Sequence, residues 1–164
     1  MENSKIECRG FKPVSTEHLK VYNSVEEVIM PQRGTRYSAG YDFFAVEDLI
    51  IMPNSSVSFW TDIKAYMLED EVLEFYPRGS IGNKHTIKLG NTVGIVDSDY
   101  YNNEQNDGNI KLTLWNYGSK VREFKKGSAV VQAIFKKFLV ADNCNTNTIR
   151  KGGQGHTSNK EDSI

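Results

Sequence analysis

Apolar residues in this chain recur mostly at every second position, in short runs interrupted by turn residues. In an extended strand, such alternation places the apolar side chains on one face. The runs are Val57, Phe59, Thr61 and Ile63; Ile110, Leu112 and Leu114, with Lys111, Thr113 and Trp115 on the opposite face; and Val131, Ala133 and Phe135. Turn signals lie at residues 53–55, 106–109, 117–119 and 126–128. Short strands at this spacing predict an all-β sandwich, barrel or jelly roll.

Helix is expected to be scarce, with a turn or two at residues 15–22 and 24–30. The 164 residues fit one domain, and 38% hydrophobic content is too high for a disordered chain. A formal net charge of −1 lacks the basic excess of general nucleic-acid binders, so we expect no stable nucleic-acid binding. Cys8 and Cys144 are too few for a disulfide scaffold or a cysteine-rich metal site.

The longest apolar runs are a few residues, which is too short for a transmembrane helix. The first residues also lack the pattern of a signal peptide. We therefore expect no membrane partner and a cytoplasmic location.

Three stretches combine residues that a core alone would not need. Asp42 follows a glycine among aromatic residues, although alone it could equally be a loop acid. In residues 75–85, Arg78 offers a planar donor fork for phosphate, and Gly79 and Ser80 follow it. If Ser80 opens a helix, that end would favour an anion, unless the serine is only a structural cap.

The third stretch, residues 89–100, leads from alternating apolar residues to two acids and a tyrosine. Asn91 and Gly94 could open a hairpin that admits a flat ring, which backbone groups would read. Asp97 could orient a water as general base, and Tyr100 offers a flat face for a sugar. The simpler interpretation is a hairpin with solvated acids.

The C-terminal part differs in composition from the rest. Residues 142–148 are polar and resemble a linker, and residues 150–158 combine three glycines with two cations and no apolar residue. The segment is either a frayed terminus or a mobile arm that orders on a phosphate. It lacks the Gly-Lys-Ser/Thr ending of a P-loop.

In this order and spacing, five segments resemble the motifs of the trimeric dUTPase family (dUTP diphosphatases). They are residues 39–42 (Ala-Gly-Tyr-Asp), 77–82 (Pro-Arg-Gly-Ser-Ile-Gly), 90–100 (ending in Gly-Ile-Val-Asp-Ser-Asp-Tyr), 127–132 and 152–157. The third is the most specific, and the resemblance spans about residues 30–158.

The resemblance implies a jelly-roll-like fold in residues 1–141, with a short helix, and a flexible glycine-rich arm in residues 142–164 that carries the fifth motif. It also implies a homotrimer with active sites at the subunit interfaces. The implied reaction is hydrolysis of dUTP to dUMP and pyrophosphate with Mg²⁺. The triphosphate and waters hold the ion, with no direct protein ligand. The role would be sanitation of the nucleotide pool and supply of a dTTP precursor.

The family's roles transfer by motif. Asp97 would activate the water that attacks the α-phosphorus, and Tyr100 would pack under the deoxyribose. Asp42 would support the phosphate and metal region through water or Arg78. The other implied substrate contacts are Asn91, Gly94, Ile95 and Val96 around the uracil; Arg78, Gly79, Ser80 and Gln132 on the phosphates; Arg150 on the outer phosphates; and Gln154 in the lid.

The chain departs from the family pattern at several positions. Gly79 stands where a serine is usual, Ser128 and Ala129 replace an acid and an arginine, and Gln154 replaces the phenylalanine that stacks on uracil. Residues 101–109 form a longer loop than usual. These changes keep open a weakly active or non-catalytic dUTP sensor or protein-interaction module. A dCTP deaminase relative shares the fold, but the string ending at Tyr100 argues against it.

Overall fold

A computed structural model of the protein describes residues 7–148 and 150–153. Within them lie one α-helix, α1 (Gly79–His85), and twelve strands. The strands are β1 (Gly10–Pro13), β2 (Gln32–Arg33), β3 (Tyr41–Phe44), β4 (Leu49–Ile51), β5 (Ser55–Trp60), β6 (Ile63–Tyr66), β7 (Glu71–Pro77), β8 (Ile87–Leu89), β9 (Gly94–Asp97), β10 (Lys111–Asn116), β11 (Arg122–Phe124) and β12 (Ala129–Lys137).

Five strands form the largest sheet, in the order β2-β3-β12-β7-β9, and every neighbouring pair is antiparallel. One face of this sheet is the core face, where Phe43, Phe75 and Val131 are buried. The rings of Phe43 and Phe75 meet edge to face at 4.9 Å between centroids. The other face carries Asp42, Gln132 and Asp97, so the pleat separates the core from the polar candidates.

A three-stranded sheet, β5-β10-β8, supplies the opposite wall of the core. Phe59, Leu112 and Leu114 point inward and are buried, whereas Lys111, Thr113 and Trp115 alternate with them and remain partly exposed. The predicted alternation in this strand is therefore confirmed. Smaller antiparallel pairs, β1-β6 and β4-β11, complete the fold.

The predicted run from Val57 to Ile63 is not one strand. β5 ends at Trp60, and Asp62 has a positive φ of 56°, after which β6 pairs with β1 in another sheet. The Asp62 carboxylate is fully buried and accepts hydrogen bonds from the backbone N–H groups of residues 20–22 and from the side-chain amide of Asn109. Those donors satisfy the buried acid and fix the corner between the two sheets.

The predicted hairpin around Asn91 and Gly94 is wrong. β8 pairs with β10 and β9 pairs with β7, so the two strands belong to different sheets. Residues 90–93 form a turn between those sheets, in which Thr92 has a φ of 66°. Which strands pair in a sheet depends on residues that are far apart in sequence, so the local pattern of apolar residues did not indicate these pairings.

The sparse helix is confirmed, with short 3₁₀ turns at Thr16–His18, Val25–Glu27 and Ser98–Tyr100 besides α1. Among the described residues, no helix has the length and apolar character that a membrane crossing requires. β12 is the last described strand, and the division at residue 141 stays a prediction.

Candidate active site

An open cleft of about 250 Å³ lies at the polar face of the five-stranded sheet, beside the C-terminal end of β7. Three separate chain segments meet there and bring together predicted site residues: Asp42, Arg78, Gly79, Ser80 and Gln132. Asp42 and Gln132 are direct neighbours across β3 and β12, and Gln132 in turn lies opposite Tyr76 of β7. The sheet register therefore assembles this cleft.

Gly34 and Ser38 also line the cleft, and the sequence interpretation did not assign them a role. They belong to a tight turn in which the Ser38 hydroxyl donates to Thr35 O at 2.9 Å and the Thr35 hydroxyl accepts from Ser38 N at 3.1 Å. The Arg-Gly-Thr sequence before the first motif could have indicated this turn, since glycine and threonine favour such turns.

Arg78 is held in the cleft by an ion pair, with Nε 3.0 Å from Oδ1 of Asp42. Its Nη1 also donates to the carbonyl of Ala129 at 3.4 Å. The Arg78 side chain remains 36% exposed, against 18% for Asp42. Anchoring through Nε and Nη1 leaves the donors of Nη2 for an anionic ligand.

Two of the three glycines that line the cleft, Gly40 and Gly79, have opposite surroundings. A Cβ added to Gly40 would lie 2.5 Å from Oε1 and 3.1 Å from Cβ of Gln132, so a larger residue would force the Gln132 side chain to shift. A Cβ added to Gly79 meets nothing within 4 Å. Gly79 and Ser80 are the first two residues of α1, with Arg78 as its N-cap, and both are exposed.

A second cluster lies at the end of β9, where Asp97 and Asp99 are half exposed. The Arg150 guanidinium bridges them, with Nη2 2.5 Å from Oδ2 of Asp97 and Nε 2.8 Å from Oδ1 of Asp99. It also lies over the Tyr100 ring, 5.7 Å from the centroid, and is only 8% exposed. The third motif and the start of the arm thus meet in this chain.

Tyr100 is held at its hydroxyl. That group donates to the carbonyl of Asn109 at 2.9 Å and accepts from the Asn106 amide at 2.9 Å. Burial raises the pKa of Tyr100 above its usual value, although the Asn106 hydrogen bond and the charge of Arg150 lower it. The hydroxyl is therefore neutral and fixed, which leaves the ring as the useful part of the side chain.

The described part of the arm is docked through polar contacts rather than apolar ones. Gly152 and Gly153 are buried, and Gly153 N donates to Oε1 of Gln105 at 2.7 Å. Gln105 belongs to the long loop 101–109, whose function the sequence did not reveal. Gln154 lies outside the described residues.

The residues predicted to surround the uracil lie on β9 or just before it, and β9 is an edge strand of the five-stranded sheet. Asn91 and Ile95 are exposed, Gly94 is buried against Phe75, and Val96 is buried in the core. β9 pairs with β7 along one edge, and its other backbone edge is unpaired among the described strands. Such an edge offers N–H and C=O groups to a ligand.

The two clusters do not meet within one chain. Asp97 lies opposite Val72 on β7, and Gln132 lies opposite Tyr76, four residues further along. Four residues along β7 correspond to about 13 Å, and the two strand spacings from β9 across β7 to β12 correspond to about 10 Å. The Cα atoms of Asp97 and Gln132 are therefore roughly 16 Å apart. Asp97 is also not among the residues that line the Arg78 cleft.

The lining of the cleft includes one carboxylate that could serve a magnesium ion. Within residues 7–148 and 150–153, no three His, Cys, Asp or Glu side chains are grouped to hold a metal ion. Asp42 is the carboxylate of the cleft, and one of its oxygens is paired with Arg78. A single carboxylate can orient a metal-bound water, as Mg²⁺ sites that keep several waters require.

Comparisons with known proteins agree on one family. The family model described as dUTPase matches residues 26–159. A deoxyuridine 5'-triphosphate nucleotidohydrolase of Lactococcus lactis is 39% identical over 137 residues, which cover 84% of this chain and 87% of that protein. One of Shewanella pealeana is 32% identical over 142 residues, covering 82% and 90%. The crystal structure of dUTPase from Streptococcus mutans superposes with a TM-score of 0.69 and 34% identity, over 81% of this chain and 98% of that one.

Fold and similarity together define a hydrolase with a jelly-roll-like fold, which is one of the three all-β architectures that the alternating strands left open. The chain belongs to the dUTPase family, which confirms the resemblance of its five motifs.

Proposed function

We propose that the protein hydrolyses dUTP to dUMP and pyrophosphate. The observation that carries the proposal is the division of one polar sheet face into an arginine cleft and an acidic edge, each suited to a different part of a nucleoside triphosphate. Membership of the dUTPase family supports dUTP as the nucleotide.

The cleft takes the phosphates in this proposal. Arg78, fixed by Asp42, presents its free N–H groups to phosphate oxygens. The backbone of Gly79, the hydroxyl of Ser80 and the amide of Gln132 add donors around the same opening. Because these groups come from rigid strands and a helix start, they need little reorganisation when the anion binds.

The edge of β9 takes the nucleoside. Its unpaired backbone groups near Gly94, Ile95 and Val96, together with the exposed Asn91 amide, read the edge of uracil. The Tyr100 ring packs under the deoxyribose. Because hydrogen bonds fix the Tyr100 hydroxyl, the ring cannot move aside to accommodate the 2′-hydroxyl of a ribose. Arg150 now lies over that ring and moves onto the outer phosphates as the nucleotide enters.

Asp97 acts as the general base. Its carboxylate accepts a proton from the water whose oxygen forms the new bond to the α-phosphorus. The bond between that phosphorus and the oxygen bridging to the β-phosphorus breaks, and pyrophosphate leaves with the electron pair. Asp42 would orient a water of a magnesium ion on the triphosphate, and that ion would supply neutralisation of phosphate charge.

The complete site belongs to a homotrimer. Since the cleft and Asp97 are too far apart within one chain, the nucleotide has to bind between the cleft of one copy and the β9 edge of another. Phe138, Leu139 and Val140, which follow β12, are exposed at 43%, 98% and 64%. Consecutive exposed apolar residues support association with a neighbour.

In the cell, this activity would keep uracil nucleotides out of the pool and supply dUMP as a precursor of dTTP. That role predicts a cytoplasmic enzyme. Residues 142–164, which include Arg150 and Gln154, would serve as the arm that closes the site.

Pyrophosphate release with Mg²⁺ tests the proposal. We expect release from dUTP, and release from UTP, dTTP and dCTP that is at least about 10²-fold slower, the range that one well-placed polar or steric contact provides. Binding of dUTP without release would support the sensor hypothesis. Ammonia release from dCTP would instead support the deaminase relative.

A further inference from the structure

The loop 101–109 is an ordered structure with its own hydrogen bonds. Asn103, Asn106 and Asn109 are buried, with 7%, 9% and 0% exposure. The Asn103 amide donates to the carbonyl of Tyr100 at 2.8 Å and to Oδ1 of Asn106 at 2.7 Å. Buried, paired amides of this kind fix a loop in one conformation.

This loop presents Gln105 to the arm. The backbone N–H of Gln105 donates to Oδ1 of Asn103 at 3.1 Å, which orients the residue. Its side-chain Oε1 accepts the N–H of Gly153 at 2.7 Å. A Cβ on Gly153 would lie 3.0 Å from Nδ2 of Asn106 and 3.2 Å from Oε1 of Gln105, so the loop surface is shaped to a glycine.

The contact at Gly153 also restrains Arg150. Nη1 of Arg150 donates to the carbonyl of Gly153 at 3.5 Å, and only two residues separate them. The intervening Gly152 is flexible, so the arm loses considerable conformational entropy when it docks. Contacts at both Arg150 and Gly153 offset this entropy loss better than contacts at Arg150 alone.

We propose that Gln105 is a positioning residue for substrate turnover: it anchors the arm at Gly153 and so keeps Arg150 beside the acidic edge, within reach of the outer phosphates when the nucleotide binds. This inference rests on the proposed function. The ion pairs with Asp97 and Asp99 hold the guanidinium of Arg150, but they do not bind the backbone of the arm beyond it. Arg150 also has to change partners when phosphate arrives, whereas the bond between Gln105 and Gly153 can persist.

Two substitutions isolate the acceptor. Gln105→Leu keeps the size of the side chain and removes Oε1, and Gln105→Glu keeps an acceptor oxygen. Glu104→Ala, at an exposed neighbour in the same loop, is the matched control. Gly153→Ala disrupts the same contact from the arm, outside the folded sheets, and remains informative if Gln105→Leu folds poorly.

The first measurement is hydrogen exchange at the Gly153 amide, followed by NMR in full-length protein without nucleotide. We expect exchange to become about fivefold faster in Gln105→Leu, as the loss of one hydrogen bond predicts, and to stay near wild type in Gln105→Glu and Glu104→Ala. Unchanged exchange at Gly153 in Gln105→Leu would overturn the proposal.

The second measurement is steady-state hydrolysis of dUTP. We expect kcat/KM to fall about fivefold in Gln105→Leu and in Gly153→Ala, mainly through KM, and to recover in Gln105→Glu. Normal kinetics in both disruptive variants would contradict the positioning role. A wild-type protein that does not hydrolyse dUTP would instead refute the proposed function, while the exchange result would still report whether Gln105 holds the arm.

Discussion

Arg150 and Asp97 form an ion pair, with Nη2 2.5 Å from Oδ2. Asp97 therefore has two partners in the proposed cycle, the guanidinium of the arm and the attacking water. The guanidinium engages Oδ2 of Asp97, which leaves Oδ1 as the oxygen that can accept a proton from water. In the proposed cycle, the Arg150 side chain covers the acidic edge before the nucleotide binds and moves onto the outer phosphates afterwards, while Gly153 can stay bonded to Gln105.

Replacing Asp97 by asparagine should separate binding from chemistry. We expect Asp97→Asn to bind a non-hydrolysable dUTP analogue and to lower turnover by about 10²-fold or more, since a general base contributes that much. The matched variant Asp99→Asn loses a similar contact to Arg150 but not the base, and should lose about fivefold at most. Pyrophosphate release measures both, and near-normal turnover in Asp97→Asn would refute the assignment.

Mixing two inactive variants tests whether the site is shared between copies. Arg78→Ala and Asp97→Asn should each be nearly inactive alone. When they are unfolded together and reassembled in equal amounts, about a quarter of the sites will combine an intact Arg78 with an intact Asp97 from different copies. We expect that share of wild-type activity to return. No recovery in correctly reassembled protein would mean that both residues serve the site from one chain.

The open space at Gly79 predicts an improved variant. Gly79→Ser adds the hydroxyl that the family usually has there, and its Cβ meets nothing within 4 Å. We expect kcat/KM for dUTP to rise between about twofold and tenfold, the value of one added hydrogen bond. Gly79→Ala, which adds the Cβ without the hydroxyl, should leave kcat/KM unchanged; an equal rise in both variants would point to the helix rather than to the phosphate.

Gly40 should tolerate no side chain. In Gly40→Ala the new Cβ would overlap the Gln132 side chain, so either that side chain or the strand has to move. We expect the free energy of unfolding to fall by about 1–3 kcal/mol, the usual result of overpacking. Gly34→Ala, at a cleft glycine with nothing within 4 Å, should be nearly neutral in the same denaturant titration. Equal stability of the two variants would contradict the close contact.

Acid stability should depend on Glu71. Hydrogen bonds from the Arg9 guanidinium, together with Leu68 N, outweigh burial and lower the pKa of Glu71. A carboxyl whose pKa is lower in the folded state adds stability that is fully present above its unfolded pKa, near about 4.3, and is lost as the pH falls through the folded pKa. We expect the difference in unfolding free energy between wild type and Glu71→Gln to shrink as the pH falls from 7 to about 3.

Chemical unfolding at several pH values measures this difference. Arg9→Met removes the donor instead of the acceptor and should reduce the same acid-side slope. A difference between wild type and Glu71→Gln that is constant with pH would show that the Arg9 contact does not lower the pKa in solution.

Sequence alone predicted the elements whose pattern is local. β10 follows the alternation of apolar residues because one face of the strand is buried along its length. β12 follows it only in part, since Val130 and Val131 are both buried at a bulge and the end of the strand is exposed. The motifs also identified the family and most of the candidate residues, since the residue types required for phosphate and water chemistry stand at fixed spacings along the chain.

Tertiary structure decided the rest, because sheet pairing joins residues that are far apart in sequence. The pairing of β8 with β10 and of β9 with β7 excluded the predicted hairpin, and the buried carboxylate of Asp62 divided one predicted strand into two. The register across β3, β12, β7 and β9 brought Asp42 to Arg78 and kept Asp97 roughly 16 Å from Gln132. Gln105 gained its partner only when the chain folded back on itself, since a hydrogen bond between residues 48 positions apart leaves no periodic signal in the sequence.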